Sequence, residues 1–327
     1  MMRAMQLDAP RTALRLVERP LPEPAEGQLR VVISACGVCR TDLHVVDGDI
    51  VGRLPIVPGH EIVGRIDKLG EGSSRFEIGQ RVGVPWLART CGKCRFCQSA
   101  RENLCDDPLF TGFTRDGGFA THCLADARFC LPLPDAFDDI HAAPLLCAGL
   151  IGYRAYRMTG DAQVIGIYGF GAAAHIIAQV AIWEGRDVYA FTREGDRNSQ
   201  DFALHLGCSW AGAATLPSPQ PLDAAIIFAP AGELVPIALR AVRKGGSVIC
   251  AGIHMSDIPR FAYADLWGER IIRSVANLTR EDGLEFLPLA ASAAVKTSVA
   301  AMPLAAANEA LARLRGGVDG AVVLTMR

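Results

Sequence analysis

The sequence predicts an α/β protein of two domains, one β-rich and one a doubly wound parallel sheet, and three observations predict it. The chain has 327 residues, more than a single hydrophobic core usually organises. Its texture changes near residue 150, from short strands broken by glycine and proline to apolar strands that alternate with helical segments. Directly after the first of those apolar strands stands Gly169-Phe170-Gly171-Ala172-Ala173-Ala174, a GxGxxA turn. Half of the residues are hydrophobic and 33 are glycine, a composition for a packed core with many tight turns rather than for a disordered or fibrous chain.

Taken in order, residues 1–150 read as the β-rich domain, a folded-over barrel. Leu29-Arg30-Val31-Val32-Ile33 and Ile62-Val63-Gly64-Arg65-Ile66 are short runs separated by turn residues. Residues 151–278 follow as the nucleotide-binding domain. A strand at 164–168 leads into a helix through Trp183, then a strand at 188–191 and a helix around 202–206. A strand at 224–228, a helix through Val242, a strand at 247–250 and a last strand at 271–275 complete the series. Apolar strands separated by helices indicate a parallel sheet covered on both faces, because right-handed crossovers place helices there. Residues 279–327 carry a helix at 304–314 and a strand at 321–324, which we expect to return to the first domain. No internal repeat or low-complexity linker interrupts the chain.

The GxGxxA turn is the cofactor signal. Gly169 permits the tight turn, Gly171 lets a pyrophosphate approach the backbone, and Ala174 allows close helix–strand packing at the Rossmann-type phosphate site. An NAD-selective site usually carries an acid about 20 residues on, at the end of the second strand. Here Thr192-Arg193 takes that place. A guanidinium and a hydroxyl can hold a 2′-phosphate where no carboxylate repels it, so NADP(H) is expected over NAD(H). Ile253 and Met255 fall in the loop after a later parallel strand, where the nicotinamide end is expected.

Four cysteines, Cys91, Cys94, Cys97 and Cys105, follow CxxCxxCx7C spacing. Thiolates so spaced can saturate one tetrahedral zinc, which makes the segment 91–105 a structural metal lobe. Clustered CxxC spacing in a chain of this size favours metal in a reducing compartment over disulfides. The net charge of −2, with acids and bases interspersed, leaves no footprint for nucleic acid or an anionic membrane. The N-terminus lacks the apolar core of a secretory signal and no apolar run is long enough to span a bilayer, so a cytoplasmic location is expected.

Flanking the lobe are Gly37-Val38-Cys39-Arg40-Thr41-Asp42-Leu43-His44, Pro58-Gly59-His60-Glu61 and Leu146-Cys147-Ala148-Gly149. With the lobe between them, these segments resemble the zinc-dependent alcohol dehydrogenases of the medium-chain dehydrogenase/reductase family, over nearly the whole chain. Only 41 residues separate Cys105 from Cys147, which resembles the compact bacterial and yeast-like members. The resemblance implies a GroES-like catalytic domain and a catalytic zinc on Cys39, His60 and Cys147, with its fourth position left for water or substrate. The expected content is about two zinc ions per subunit, one in each site.

The resemblance also implies roles for the residues around that zinc. Thr41 would take the alcohol proton and His44 would relay it onward through the cofactor ribose, while Asp42 would orient His60 from behind. Glu61 would stand as a carboxylate close behind the metal, Arg40 would contact the cofactor pyrophosphate, and Trp86 would wall the substrate pocket. An apolar slot with one Lewis-acid end favours small to medium primary alcohols and their aldehydes. An aldehyde reductase or a polyol dehydrogenase on the same scaffold is the alternative, with a non-catalytic zinc- or dinucleotide-binding protein more remote. A homodimer or homotetramer paired through the sheet edge near 271–275 is implied as well. The other cysteines, Cys36, Cys123, Cys130, Cys208 and Cys250, read as packed thiols, and His122, His141, His175, His205 and His254 as structural or surface residues.

Overall fold

In a computed structural model that describes residues 1–317 and 320–326, the chain forms two compact units. One comprises Met1–Cys147, Asn277–Ala291 and Lys296–Arg327, the other Ala148–Ala276 with Ser292–Val295.

The first unit is built on a seven-stranded sheet. Its long strand Gln28–Val38 pairs along one side with Glu61–Leu69 and along the other with both His122–Asp126 and Ala321–Thr325, all antiparallel. Arg81–Val84 and Leu131–Pro132 extend the sheet beyond Glu61–Leu69, and Val299–Pro303 lies parallel outside Ala321–Thr325. Leu29, Val31, Ile33, Ile62, Ile66, Phe119 and Leu324 are buried in one cluster, the apolar core of this unit. The helix Arg40–Asp47 leaves the end of the long strand and buries Leu43, Val45 and Val46 in that same cluster. Its first residues are thereby fixed against the sheet.

The second unit is a six-stranded, wholly parallel sheet. The strand order is Trp210–Ala213, Asp187–Thr192, Val164–Tyr168, Leu222–Ile227, Val242–Cys250, Ile271–Ser274, which in chain order is the 3-2-1-4-5-6 arrangement of dinucleotide-binding sheets. The fold class is therefore α/β with a doubly wound sheet. Val164–Tyr168 is buried along nearly its whole length, as a central parallel strand covered on both faces must be. The helix Ala172–Trp183 buries Ala174, Ile176, Ile177, Ala178, Val180 and Ala181, and Tyr168 stacks on Phe191 with ring centroids 4.2 Å apart.

Several elements differ from the sequence reading. Trp210–Ala213 is a strand that composition hid, since Trp-Ala-Gly-Ala has no β-branched residue. The helix expected through Val242 ends at Ala241, and Val242 already opens the next strand. Arg280–Ser292 is a helix although it contains Gly283 and Pro288, two residues that mask helical periodicity. Val299–Pro303 is a strand that was not anticipated either. Among the described residues no helix is long and apolar enough to cross a membrane.

Candidate active site and metal centres

The first unit gathers two groups of metal-ligating side chains, Cys91, Cys94, Cys97 and Cys105 in one, Cys39, His60, Glu61 and Cys147 in the other, with the donor atoms of each group within 4.8 Å of one another. Tetrahedral zinc with Zn–S bonds of about 2.3 Å requires S···S edges of about 3.8 Å. The observed separations are 3.7 Å for Cys39–Cys147, 3.6 Å for Cys94–Cys97 and 4.0 Å for Cys91–Cys97. They are too long for a disulfide, and all eleven cysteines are free thiols. The donor sets and their spacing fit zinc in both places.

In the four-cysteine lobe the backbone supplies the remaining order. The amides of Cys91 and Asp107 donate to Cys105 Sγ at 3.3 and 3.4 Å, and that of Cys94 donates to Cys91 Sγ at 3.4 Å. Backbone amides of Cys97 and Asp106 hold the Cys94 thiol down at about 6, while burial pushes Cys105 up to about 12. A cluster that already favours thiolate at one corner is primed for a cation. The lobe is tied down at its base: Glu102, buried, accepts from Arg280 Nε at 2.8 Å and from the Arg280 amide at 3.0 Å.

The second group is assembled from three chain segments. Cys39 is the N-cap of the helix Arg40–Asp47, His60 sits in the loop just before the strand that opens at Glu61, and Cys147 follows the 3-10 turn Ala143–Leu146. Asp42 locks the first two together. Its Oδ2 accepts from the Cys39 amide at 2.8 Å, closing a capping box, and its Oδ1 accepts from the Gly59 amide at 3.1 Å and from His60 Nδ1 at 3.2 Å. An ionised carboxylate only accepts, so Nδ1 carries the proton and Nε2 is left as the donor atom to a metal. Nε2 lies 3.3 Å from Cys147 Sγ.

Asp42 and His60 are 1% and 0% exposed, so the charges of the cluster act through little solvent. The hydrogen bond with Cys147 and the neighbouring His60 bring the Cys39 thiol well below its ordinary range, against burial, while the same bond and burial send Cys147 well above it. Burial works against protonation of His60, but Asp42 and the Cys39 thiolate overcome it and raise the imidazole. Burial and then the Cys39 thiolate push Glu61 up. This excess of negative charge, which protons would otherwise relieve, is the setting of a divalent cation. Glu61 reaches the cluster only because residue 37 has no side chain: a Cβ there would stand 1.8 Å from Glu61 Oε2.

Around this centre the structure places the remaining residues singled out from sequence. The Thr41 hydroxyl, nearly buried, is 3.8 Å from Cys39 Sγ. His44 lies one helical turn on and pairs through Nδ1 with Asp49 at 2.9 Å. Arg40 is exposed at the first position of the helix. Trp86 presents its ring edge-on to His60, centroids 4.9 Å apart, and is backed by Phe110 and Phe113 at 4.9 and 5.9 Å. Sequence reasoning missed Phe110, Phe113 and Asp49, and it quoted Gly37 without the close approach its missing side chain allows. Only Asp49 left a signal, the Gly48-Asp49 pair that ends the helix.

In the second unit, Gly169 has φ +86° and a Cβ there would lie 2.8 Å from the Ala229 backbone, so only glycine fits. At Gly171, the N-cap of Ala172–Trp183, a Cβ would meet nothing within 4 Å. This is the open approach to a helix N-terminus that a pyrophosphate needs. Ala174 is fully buried against the sheet. Thr192, by contrast, is already engaged within the fold. Its hydroxyl is buried, accepts from Gln200 Nε2 at 2.9 Å and bonds carbonyls of its own fold. Arg193 is exposed, as is Arg197 at the start of the next helix. Ile253 is half exposed, and Met255 packs against the sheet cluster. Of the five remaining cysteines, Cys36, Cys123, Cys130 and Cys208 are buried and Cys250 partly so.

A doubly wound parallel sheet in one unit, with one all-thiolate and one mixed thiolate–imidazole cluster in the other, is the architecture of a metal-using dehydrogenase. Residues 25–135 match the alcohol dehydrogenase GroES-like domain. A probable alcohol dehydrogenase of Mycobacterium tuberculosis is 44% identical over 95% of this chain and 92% of its own length. An acetophenone reductase of Geotrichum candidum, solved in complex with NAD, superposes with a TM-score of 0.87 at 26% identity, covering 99% of this chain and 97% of that one. A thermostable alcohol dehydrogenase of Pyrobaculum aerophilum gives 0.88 at 23%, covering 99% of each chain. The chain belongs to the alcohol dehydrogenase family.

Proposed function

We propose that this protein is a zinc-dependent alcohol dehydrogenase that moves hydride reversibly between a small to medium primary alcohol, or its aldehyde, and a nicotinamide cofactor. The observation that carries the reading is the Cys39–His60–Cys147 set at tetrahedral-edge distances beside an aromatic wall. When bound, zinc supplies a Lewis acid that polarises an alcohol or carbonyl oxygen, and the nicotinamide supplies the hydride acceptor or donor. The protein's own residues do the rest. Asp42 fixes the His60 tautomer, Thr41 accepts and donates a proton through one hydroxyl, and His44 carries that proton onward. Glu61, coming over Gly37, would stand close to the metal as a displaceable donor that gives way to substrate. Trp86, Phe110 and Phe113 exclude water and favour an apolar substrate. Steady-state turnover of a panel of alcohols and aldehydes, before and after zinc chelation, tests the reading. Failure of every alcohol and aldehyde, or turnover indifferent to chelation, would sink it.

Two finer assignments accompany it. With the Thr192 hydroxyl committed inside the fold, the preference for NADP(H) rests on the exposed Arg193 at the strand end, seconded by Arg197. Arg193→Ala is expected to raise the KM for NADPH about tenfold or more and to leave that for NADH nearly unchanged, as charge-assisted bonds worth about 1.5–3 kcal/mol would predict. Equal changes for both cofactors would reverse the assignment. The protein also pairs as a homodimer, or as a dimer of dimers, through the edge strand Ile271–Ser274. That edge carries exposed Ile271, with Tyr263 and Trp267 nearby at 69% and 65% exposure, an apolar, unpaired edge that a partner would cover. Ile271→Lys is expected to shift sedimentation to the monomer, and an unchanged profile would count against this edge.

A further inference from the structure

We propose that Asp49 is the outlet of the proton relay, taking the proton that reaches His44 and passing it to water in an open groove on the surface of the first unit. This rests on the reading of His44 as a proton carrier given above.

The chain places Asp49 there by a helix-ending device. The helix Arg40–Asp47 stops on Gly48 at φ +75°. The Gly48 amide bonds the Val45 carbonyl at 3.3 Å and the Asp49 amide bonds the His44 carbonyl at 3.0 Å, the paired bonds of a Schellman end. A side chain at 48 would carry the strain of that φ and stand 2.8 Å from Pro10 Cβ. Folded back in this way, Asp49 presents Oδ2 to His44 Nδ1 at 2.9 Å, so one residue pair is joined through both backbone and side chain.

The polarity of the pair sets the direction. An ionised Asp49 can only accept, so His44 holds its proton on Nδ1 and keeps Nε2 as the accepting atom. In alcohol oxidation one proton arrives at Nε2, the Nδ1 proton moves to Asp49 Oδ2, and the carboxyl gives it to water. The ring then restores its tautomer by exchange with the solvent to which it is partly open. Reduction of a carbonyl runs the same transfers backward. The Asp49 side chain is 49% exposed against 24% for His44, so exposure rises along the path. Asp49 lines a groove of about 640 Å³ with Arg11, Asp47, Asn308 and Arg315. Asp47 is already held by Arg315, and Arg11 donates to its carbonyl. Of the two groove carboxylates, Asp49 is the one bonded to His44.

Stopped-flow measurement of proton release into an indicator dye during alcohol oxidation by the holoenzyme tests this, with ¹⁵N NMR of the His44 ring as a second readout. Asp49→Ala and Asp49→Asn should slow proton release about 10- to 100-fold, at or below the low end of general acid–base contributions. Asp49→Glu should restore most of it, added formate should rescue Asp49→Ala but not Asp49→Asn, and the pure Nδ1–H tautomer should become mixed in Asp49→Ala. Wild-type release rates in both Ala and Asn variants would overturn the proposal. So would slowed release that neither glutamate nor formate restores, since that is the mark of a merely structural role. His44→Ala separates the two levels. Slowed release there with unaffected Asp49 variants removes Asp49 alone, and wild-type release there sinks the relay reading beneath it.

Discussion

Cys39→Ser abolishes turnover and leaves the fold standing. The expected loss is at least about 10³-fold in kcat/KM, because Lewis-acid stabilisation is worth several kcal/mol and each 1.36 kcal/mol is a factor of ten. Serine is the informative replacement because Cys39 does two jobs. Its sulfur is one corner of the cluster, 3.7 Å from Cys147 Sγ, and it is the N-cap of the helix Arg40–Asp47, its amide donating to Asp42 Oδ2 at 2.8 Å and its carbonyl accepting from the Asp42 amide at 3.0 Å. A serine hydroxyl caps a helix well but is no thiolate at neutral pH, so the variant removes the metal corner and spares the helix. Zinc analysis should fall from about two ions per chain to about one, with a melting temperature within a few degrees of wild type. Full turnover with unchanged zinc would mean that the metal is held elsewhere.

The parts of this arrangement that were legible in the sequence are those whose chemistry is written locally. Cys91, Cys94, Cys97 and Cys105 occupy one short segment, and their spacing alone brings four thiolates together. Gly169 and Gly171 announce the dinucleotide turn because a positive φ and an open Cβ position are demands on single residues. The union of Cys39, His60 and Cys147 was visible only through family resemblance, since nothing local to any of the three points at the others. Phe110 and Phe113 behind Trp86, and Gly37 beneath Glu61, are contacts across strands that periodicity does not encode. The internal partners of the Thr192 hydroxyl were hidden for the same reason. Its partner Gln200 comes from the following helix, and side-chain competition of that kind is settled by packing.

Cys94→Ser tests the other cluster and should give the opposite pattern, a loss of stability with the chemistry spared. Among residues 91–101 not one side chain is buried, so this part of the lobe has no apolar core to hold it once the metal corner is lost. Structural zinc in isolated finger peptides contributes about 10–16 kcal/mol, an upper bound here because Glu102 and Arg280 still anchor the base. Even a few kcal/mol lowers Tm by about 5 °C in a chain of this size. Zinc should fall by about one ion per chain, and limited proteolysis should cut first within 91–108. The rate per folded molecule should stay near wild type, because Cys39, His60 and Cys147 are untouched. Glu102→Ala separates metal from anchor: it strips the buried acceptor from Arg280, at a cost of about 1.5–3 kcal/mol for a charge-assisted bond, yet leaves all four thiols in place. It should therefore lower Tm with both zinc ions retained. A Cys94→Ser protein as stable as wild type with full zinc, or an inactive one with the Cys39 cluster still loaded, would show that the two clusters do not divide their work into stability and chemistry.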